Sequence, residues 1–235
     1  MCGRYANAKS SPDMAALFDA EDLIAGAWAP RHNIAPTTQA PLVRHSTSRA
    51  KRVLELARWG LVPPWADDPA IGTRMFNARI ETVATSRAYR RPFASKRALI
   101  PADGWYEWRK LPGGGKQPYY FTRPGGLLLA GLWETWRSDD LDLLTFTVLT
   151  CPALDDAIGA VHDRMPYVLP PHRAAAWLGE TDASEAELLA GPDTALTRDL
   201  EIRKVSRAVG RADNEGPHLI APIDTPDEPD TLPGL

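Results

Sequence analysis

Cysteine is nearly absent from this chain. Among 235 residues only Cys2 and Cys151 occur, which excludes a disulfide framework and any zinc-type ligand spacing. No run of about 18 apolar residues is present and no charged-then-apolar leader opens the chain, so neither a membrane partner nor secretion is expected and a reducing cytoplasm suits it. Neither sign of charge dominates: 27 Lys and Arg face 30 Asp and Glu, a net charge of −3. The imbalance is local. Residues 221–235 hold Asp224, Asp227, Glu228 and Asp230 with no base, and without them the body carries +1, compatible with a basic groove but not demanding one. What the chain does have is ordinary globular hydrophobicity, 44%, together with 22 prolines that disfavour long helices and eight tryptophans against five phenylalanines.

The order of apolar and punctuating residues predicts an α+β fold in a single domain. Ser11-Pro12-Asp13 reads as a helix start, and Met14, Leu17, Phe18 and Ile24 share a face, predicting a helix from Pro12 to Ala25. Residues 31–37 read as an ordered loop. Short apolar and β-branched segments follow at 41–45, 51–59, 98–101, 104–109, 118–123, 127–133 and 143–149, the first two forming a hairpin. Their even spacing predicts a mainly antiparallel, barrel-like β-sheet with a few short flanking helices. Two late helices are expected, 171–178 closed by Gly179, and 184–190 opened by a Ser184/Glu187 capping box. The domain should run over 1–222, leaving 223–235 as an acidic, Pro-rich disordered tail.

The residue with the most chemistry is Cys2. Removal of Met1 would leave an α-amine and a thiol on adjacent carbons, with pKa values near ~8 and ~8.5, so both are partly nucleophilic at neutral pH. Three polar clusters interrupt apolar stretches: Asn77 and Arg79 in 76–82, Glu107 among aromatics in 104–108, and His162 in 162–166. Strand alternation puts Glu107 on the same side as Trp105 and Arg109; facing a cleft it would be desolvated, raised in pKa and usable as an acid or base. Cys151 follows a buried strand and reads as a core residue.

Seven blocks occur in order: Met1-Cys2-Gly3-Arg4-Tyr5, Asn33-Ile34-Ala35-Pro36-Thr37, Trp59-Gly60-Leu61-Val62-Pro63, Asn77-Ala78-Arg79 through Glu81-Thr82, Ala102-Asp103-Gly104-Trp105-Tyr106-Glu107-Trp108, His162-Asp163-Arg164-Met165-Pro166 and Val205-Ser206. With them the chain resembles the SRAP family (SOS response-associated peptidase), abasic-site processing proteins that crosslink themselves to damaged DNA. The resemblance implies the family fold, Cys2 as nucleophile, and Asn77, Glu107 and His162 around the reacting sugar. It implies DNA contacts by Arg4, Trp65, Arg79, Arg87 and Thr150, no metal and no cofactor. The expected partner is single-stranded DNA containing abasic sites, met by a monomer, cytoplasmic and nucleoid-associated in a bacterium. One departure stands out: where the family has an asparagine in its last motif, this chain has Gly210, with Asn214 further on.

The chemistry suits that implication. An open abasic sugar presents an aldehyde; an amine converts it to an imine, and a thiol on the adjacent carbon closes a thiazolidine intramolecularly. Rival readings are an N-terminal-nucleophile hydrolase, a metal hydrolase using His32, Glu107 and His162, and a non-covalent single-strand binder. Three phosphate contacts, by Arg4, Arg79 and Arg87, predict that log affinity falls with log salt at a slope of roughly −2, at ~0.7 per contact. A binding titration across ionic strengths measures it.

Overall fold

A computed structural model describes residues 2–139, 141–154, 156–195 and 199–223. The chain opens with β1 (Tyr5–Asn7), α1 (Ser11–Phe18), β2 (Ala20–Asp22) and β3 (Arg31–Ile34). It continues through β4 (Gln39–Ser46), β5 (Lys51–Trp59), a 3₁₀ turn at Pro69–Arg74, β6 (Asn77–Arg79) and α2 (Arg90–Ser95). Three long strands follow: β7 (Arg97–Lys110), β8 (Lys116–Arg137) and β9 (Asp142–Pro152). The last part holds α3 (Asp156–Gly159), β10 (Arg164–Pro166), β11 (Val168–Leu169), α4 (Ala174–Leu178), α5 (Glu185–Leu188) and β12 (Glu201–Lys204).

The twelve strands of the described residues join one sheet: eight follow the order β11-β8-β9-β5-β4-β7-β1-β3, β10 and β6 pair with β9, β12 with β8 and β2 with β5, and a further β7–β8 pairing closes β8, β9, β5, β4 and β7 into a ring. Most pairings are antiparallel; β5 runs parallel to β2 and to β9, as β6 does to β9. The expected α+β, barrel-like sheet is therefore present. Closure removes open edges, and the interior is filled by alternating side chains. Trp59 at its centre is fully buried, edge-on to Tyr5 at 5.1 Å and stacked on Phe146 at 6.2 Å, the offset and edge geometries that aromatic quadrupoles favour.

Several boundaries differ from the sequence reading, each for a tertiary reason. Helix α1 is capped by Ser10, whose hydroxyl accepts from Asp13 N–H, and stops at Phe18 where Asp19 turns left-handed (φ 49°). The residues beyond, read as more helix, form β2 because Ala20–Asp22 pair with Arg52–Leu54. Residues 31–34, read as loop, are β3 for the same reason, pairing with β1. The segments 98–101 and 104–109 are one strand whose apparent break at Asp103 is a bulge between Ala102 and Gly104. Likewise β8 runs straight through Pro124-Gly125-Gly126, where both glycines take positive φ (84° and 82°) and bend the strand without ending it. The hairpin β4–β5 and the capping box of α5 stand as read. Gly179 closes α4, while 171–173 ahead of it is a 3₁₀ turn rather than α-helix. Of the tail expected over 223–235, only Ile223 lies among the described residues, its N–H donating to Lys204 C=O at 2.9 Å. No helix among the described residues is long and apolar enough to cross a membrane.

Gly104 carries the tightest constraint near β1. A Cβ there would stand 2.3 Å from Phe121 O and 2.5 Å from the Tyr120 ring, inside van der Waals contact with backbone that is itself paired. Gly104→Ala is expected to lower stability by about 1–3 kcal/mol, in the range of overpacked cores, measured by urea titration of the purified variant.

Candidate active site

The site begins with how the chain terminus is docked. β1 lies against β7 with Tyr5 opposite Trp105 and Ala6 opposite Gly104, and the ladder continues one step as Tyr106 N–H donates to Arg4 C=O at 2.9 Å. The Cys2 thiol, fully buried, donates to the same carbonyl at 4.0 Å. The Arg4 guanidinium locks this arrangement: Nη1 donates to Asn33 Oδ1 at 2.9 Å and Val209 C=O at 3.2 Å, and Nη2 to Gly210 C=O at 3.3 Å. Arg4, expected to hold phosphate, is thus spent on three protein acceptors. Asn33 extends the clamp by donating to the carbonyls of Arg211 and Asn214, and the Asn214 amide donates to Ala208 C=O at 2.7 Å. In this way Asn214 ties down the turn in which Gly210 replaces the family's asparagine.

Glu107 stands on β7 opposite Tyr119 and is only 3% exposed, on the buried face with Trp105. Because β7 is flanked on both sides in the sheet, Glu107 cannot lean into solvent. Burial pushes its carboxyl up to about 7, so both protonation states are populated at neutral pH. Burial also drives the Cys2 thiol far above its ordinary range, reinforced by the Glu107 charge. A thiol in that condition reacts only if a base takes its proton during bond formation. Cys151 is buried in β9, its thiol raised by burial to about 12, as expected of a core residue.

His162 sits at the mouth, half-buried, and burial holds its imidazole below the ordinary value. Its Nδ1 accepts from Arg164 N–H at 3.0 Å while Asp163 Oδ1 lies 2.9 Å away. One nitrogen serves one of these at a time: neutral, it accepts from the backbone and carries its proton on Nε2; protonated, it turns to Asp163. Glu107 in turn feels the Asp163 charge.

Thr150 lies on β9, whose end is paired by β6, which carries Asn77 and Arg79, and by β10. Asn77, opposite Val148, donates through Nδ2 to Phe76 C=O at 3.0 Å and Val148 C=O at 3.4 Å, while its buried Oδ1 has no hydrogen-bond partner among the described residues. Such an acceptor costs free energy unless something else supplies a donor. Thr150, expected at the DNA, is buried instead: its hydroxyl accepts from Arg164 at 3.1 Å and donates to Ala78 C=O at 3.4 Å. Arg79 and Arg87 are exposed, and the Arg87 guanidinium covers one face of half-exposed Trp65 at 4.6 Å. A cleft of about 460 Å³, lined by Trp65, Ile71 and Arg74, opens beside it.

Two groups escaped the sequence reading. Arg164 grips Glu81 with both amino nitrogens and also donates to Thr150 C=O at 2.7 Å, tying the His162 loop to β9 and to the turn after β6. Both partners sit inside matched blocks with opposite charges, a signal that was present but pointed to no pairing. Tyr89, whose hydroxyl donates to Asn77 C=O at 3.2 Å, gave no signal. His32 lies apart on β3, its N–H and ring facing Glu215, and among the described residues no three His, Cys, Asp or Glu gather closely enough to hold a metal.

The closed mixed sheet thus holds a buried thiol on residue two within electrostatic reach of a buried carboxylate. The chain belongs to the SRAP family: the family model described as SOS response associated peptidase (SRAP) matches residues 1–212. It is 35% identical over 233 residues to the abasic site processing protein YedK of Escherichia coli (strain K12), covering 95% of this chain and 100% of that one. It is 34% identical over 226 residues to the abasic site processing protein YoqW of Bacillus subtilis (strain 168), covering 94% and 99%. A solved structure from Bacteroides thetaiotaomicron shares the fold at a TM-score of 0.80 and 20% identity, over 94% of this chain and all of that one.

The Glu107 carboxyl makes stability pH-dependent. Its folded value is near 7 against 4.5 for an unstrained carboxyl. Between those values the folded state holds a proton the unfolded state has lost, so this residue's contribution falls as pH rises through the window, by roughly 3 kcal/mol in total. Glu107→Gln escapes the loss. Urea unfolding at pH 4.5 and pH 8 should show the variant gaining on the wild type at the higher pH.

Proposed function

We propose that this protein captures abasic sites in single-stranded DNA as a covalent thiazolidine on Cys2, after Met1 is removed. The observation that carries the reading is the full burial of the Cys2 thiol within electrostatic reach of buried Glu107, since ordering a terminus in a core costs conformational entropy. The names of the YedK and YoqW relatives, both abasic site processing proteins, support it.

The Cys2 amine adds to the C1′ aldehyde carbon, and one proton passes from its nitrogen to the former carbonyl oxygen, giving a carbinolamine. Glu107 in its acid form protonates that hydroxyl, which leaves as water as the carbon–nitrogen bond becomes an iminium. The Glu107 carboxylate left behind takes the thiol proton as sulfur bonds to the iminium carbon, whose π pair returns to nitrogen and completes the neutral thiazolidine. A carboxyl near pKa 7 fits this alternation, because neither half-step waits on a rare protonation state. The Asn77 Oδ1 acceptor suits the amine or a sugar hydroxyl, and Nε2–H of neutral His162 suits the departing oxygen. Selectivity comes from the aldehyde and from the absence of a base at the reacting sugar, and opening a stacked duplex would cost a few kcal/mol more than using a single strand.

Wild type and Cys151→Ala should give a heat-stable adduct with an abasic oligonucleotide, its mass equal to protein plus strand less one water. Cys2→Ala, or a chain carrying an uncleavable N-terminal extension, should give none. A stable adduct formed by Cys2→Ala would sink the mechanism.

A further inference from the structure

The charge on this molecule is segregated in a way the site so far described does not use. Between residues 69 and 102 the sequence has seven bases against one acid, Glu81. Glu81 is held by Arg164, Lys96 pairs with Glu134, and Arg97 donates to the carbonyls of Phe93, Ala94 and Trp177. Five arginines are left, Arg74, Arg79, Arg87, Arg90 and Arg91, all exposed and none with a hydrogen bond or ion pair among the described residues. Elsewhere surface arginines are matched: Arg44 with Glu55, Arg49 with Glu21, Arg52 with Glu180, Arg137 with Asp142, Arg203 with Glu201 and Arg211 with Asp213.

The five are held as one surface. Backbone bonds from Thr82 to Arg79, Ser86 to Thr82 and Arg90 to Ser86 make 79–90 a continuous series of turns leading into α2. The Arg90–Ser86 bond closes a helical turn, so Arg87, Arg90 and Arg91 stand at i, i+3 and i+4 on one face. Arg87 lies over Trp65, and Trp65 and Arg74 line the same cleft, whose wall also carries Asp67 and Asp68. Tyr89, inside the series, bonds to the Asn77 carbonyl, fixing the surface to the reacting centre. Like charges at this spacing destabilise a helix, and nothing in the fold compensates them. Their spacing and sign fit a polyanion with regularly repeated charges.

Resting on the reading above, we propose that Arg74, Arg90 and Arg91 extend the nucleic-acid path beyond the reacting sugar, so that the strand's phosphates run from Arg79 past Arg87 and along α2. The footprint is one-sided: it holds the strand flanking the abasic sugar in one direction only. With Arg4 occupied inside the protein, five contacts at ~0.7 each replace the three read from sequence, and the salt slope becomes roughly −3.5 instead of −2.

The test is equilibrium anisotropy with a labelled single strand carrying an aldehyde-free abasic analogue, across salt concentrations. Arg90→Gln/Arg91→Gln should make the slope shallower by about 1.4. The control Arg137→Gln/Arg211→Gln makes the same change in net charge at carboxylate-matched sites and should leave the slope at the wild-type value. Shortening the strand on one side of the analogue should weaken wild-type binding and leave the α2 variant unaffected; shortening the other side should not distinguish them. Equal slopes for the two double variants, or equal sensitivity to both truncations, overturn the proposal. A wild type that shows the slope but forms no adduct with the aldehyde strand would defeat the crosslinking reading and leave this surface standing.

Discussion

The chain's first strand is three residues long, and the site depends on its docking. With Tyr106 N–H bonded to Arg4 C=O and the two Arg4 amino groups donating to Asn33, Val209 and Gly210, the terminus loses the freedom that termini normally keep. Burial of Cys2 follows, and from burial follow its high thiol pKa and its electrostatic contact with Glu107. The residues doing this work lie some two hundred positions apart. The turn at 207–210 supplies two of the three acceptors for Arg4, so the end of the domain holds its beginning in place.

One physical effect, desolvation, sets the protonation of every reactive group, with different results for acids and bases. It raises Glu107 into the neutral range, raises Cys2 beyond it and depresses His162. The result is a neutral thiol, a neutral imidazole and a half-ionised carboxyl. None of the three is a strong reagent alone. In the proposed capture they supply a proton donor and an acceptor that exchange roles without a large change in pH or solvent.

Arginine does two separate jobs in this structure. Arg4, Arg97 and Arg164 are drawn inward and spent on carbonyls and carboxylates that join distant segments. Arg74, Arg79, Arg87, Arg90 and Arg91 are exposed and make no side-chain hydrogen bond or ion pair among the described residues, Arg87 resting on the Trp65 ring. Sequence could not separate the two groups, because the residue type is the same and the distinction is whether a protein acceptor lies within reach. Of the residues read as DNA contacts, Thr150 is buried, while half-buried Arg4 has its amino groups on protein carbonyls.

What the sequence determined by itself was local or chemical. Cys2 had the only adjacent amine and thiol available, Glu107 was marked by the aromatics around it, and the hairpin and the Ser184/Glu187 box were encoded within a few residues. Matched blocks in family order carried the architecture. Tertiary structure decided the rest. It turned 20–22 and 31–34 into strands through pairing with β5 and β1, and carried β7 and β8 through apparent breaks by a bulge and two glycines. It also dried both faces of β7, burying Trp105 and Glu107 on one and Tyr106 on the other. Alternation says that Trp105 and Glu107 share a face; only closure of the sheet around that face removes its water, and the loss of water moves the carboxyl from a surface charge to an acid near neutrality.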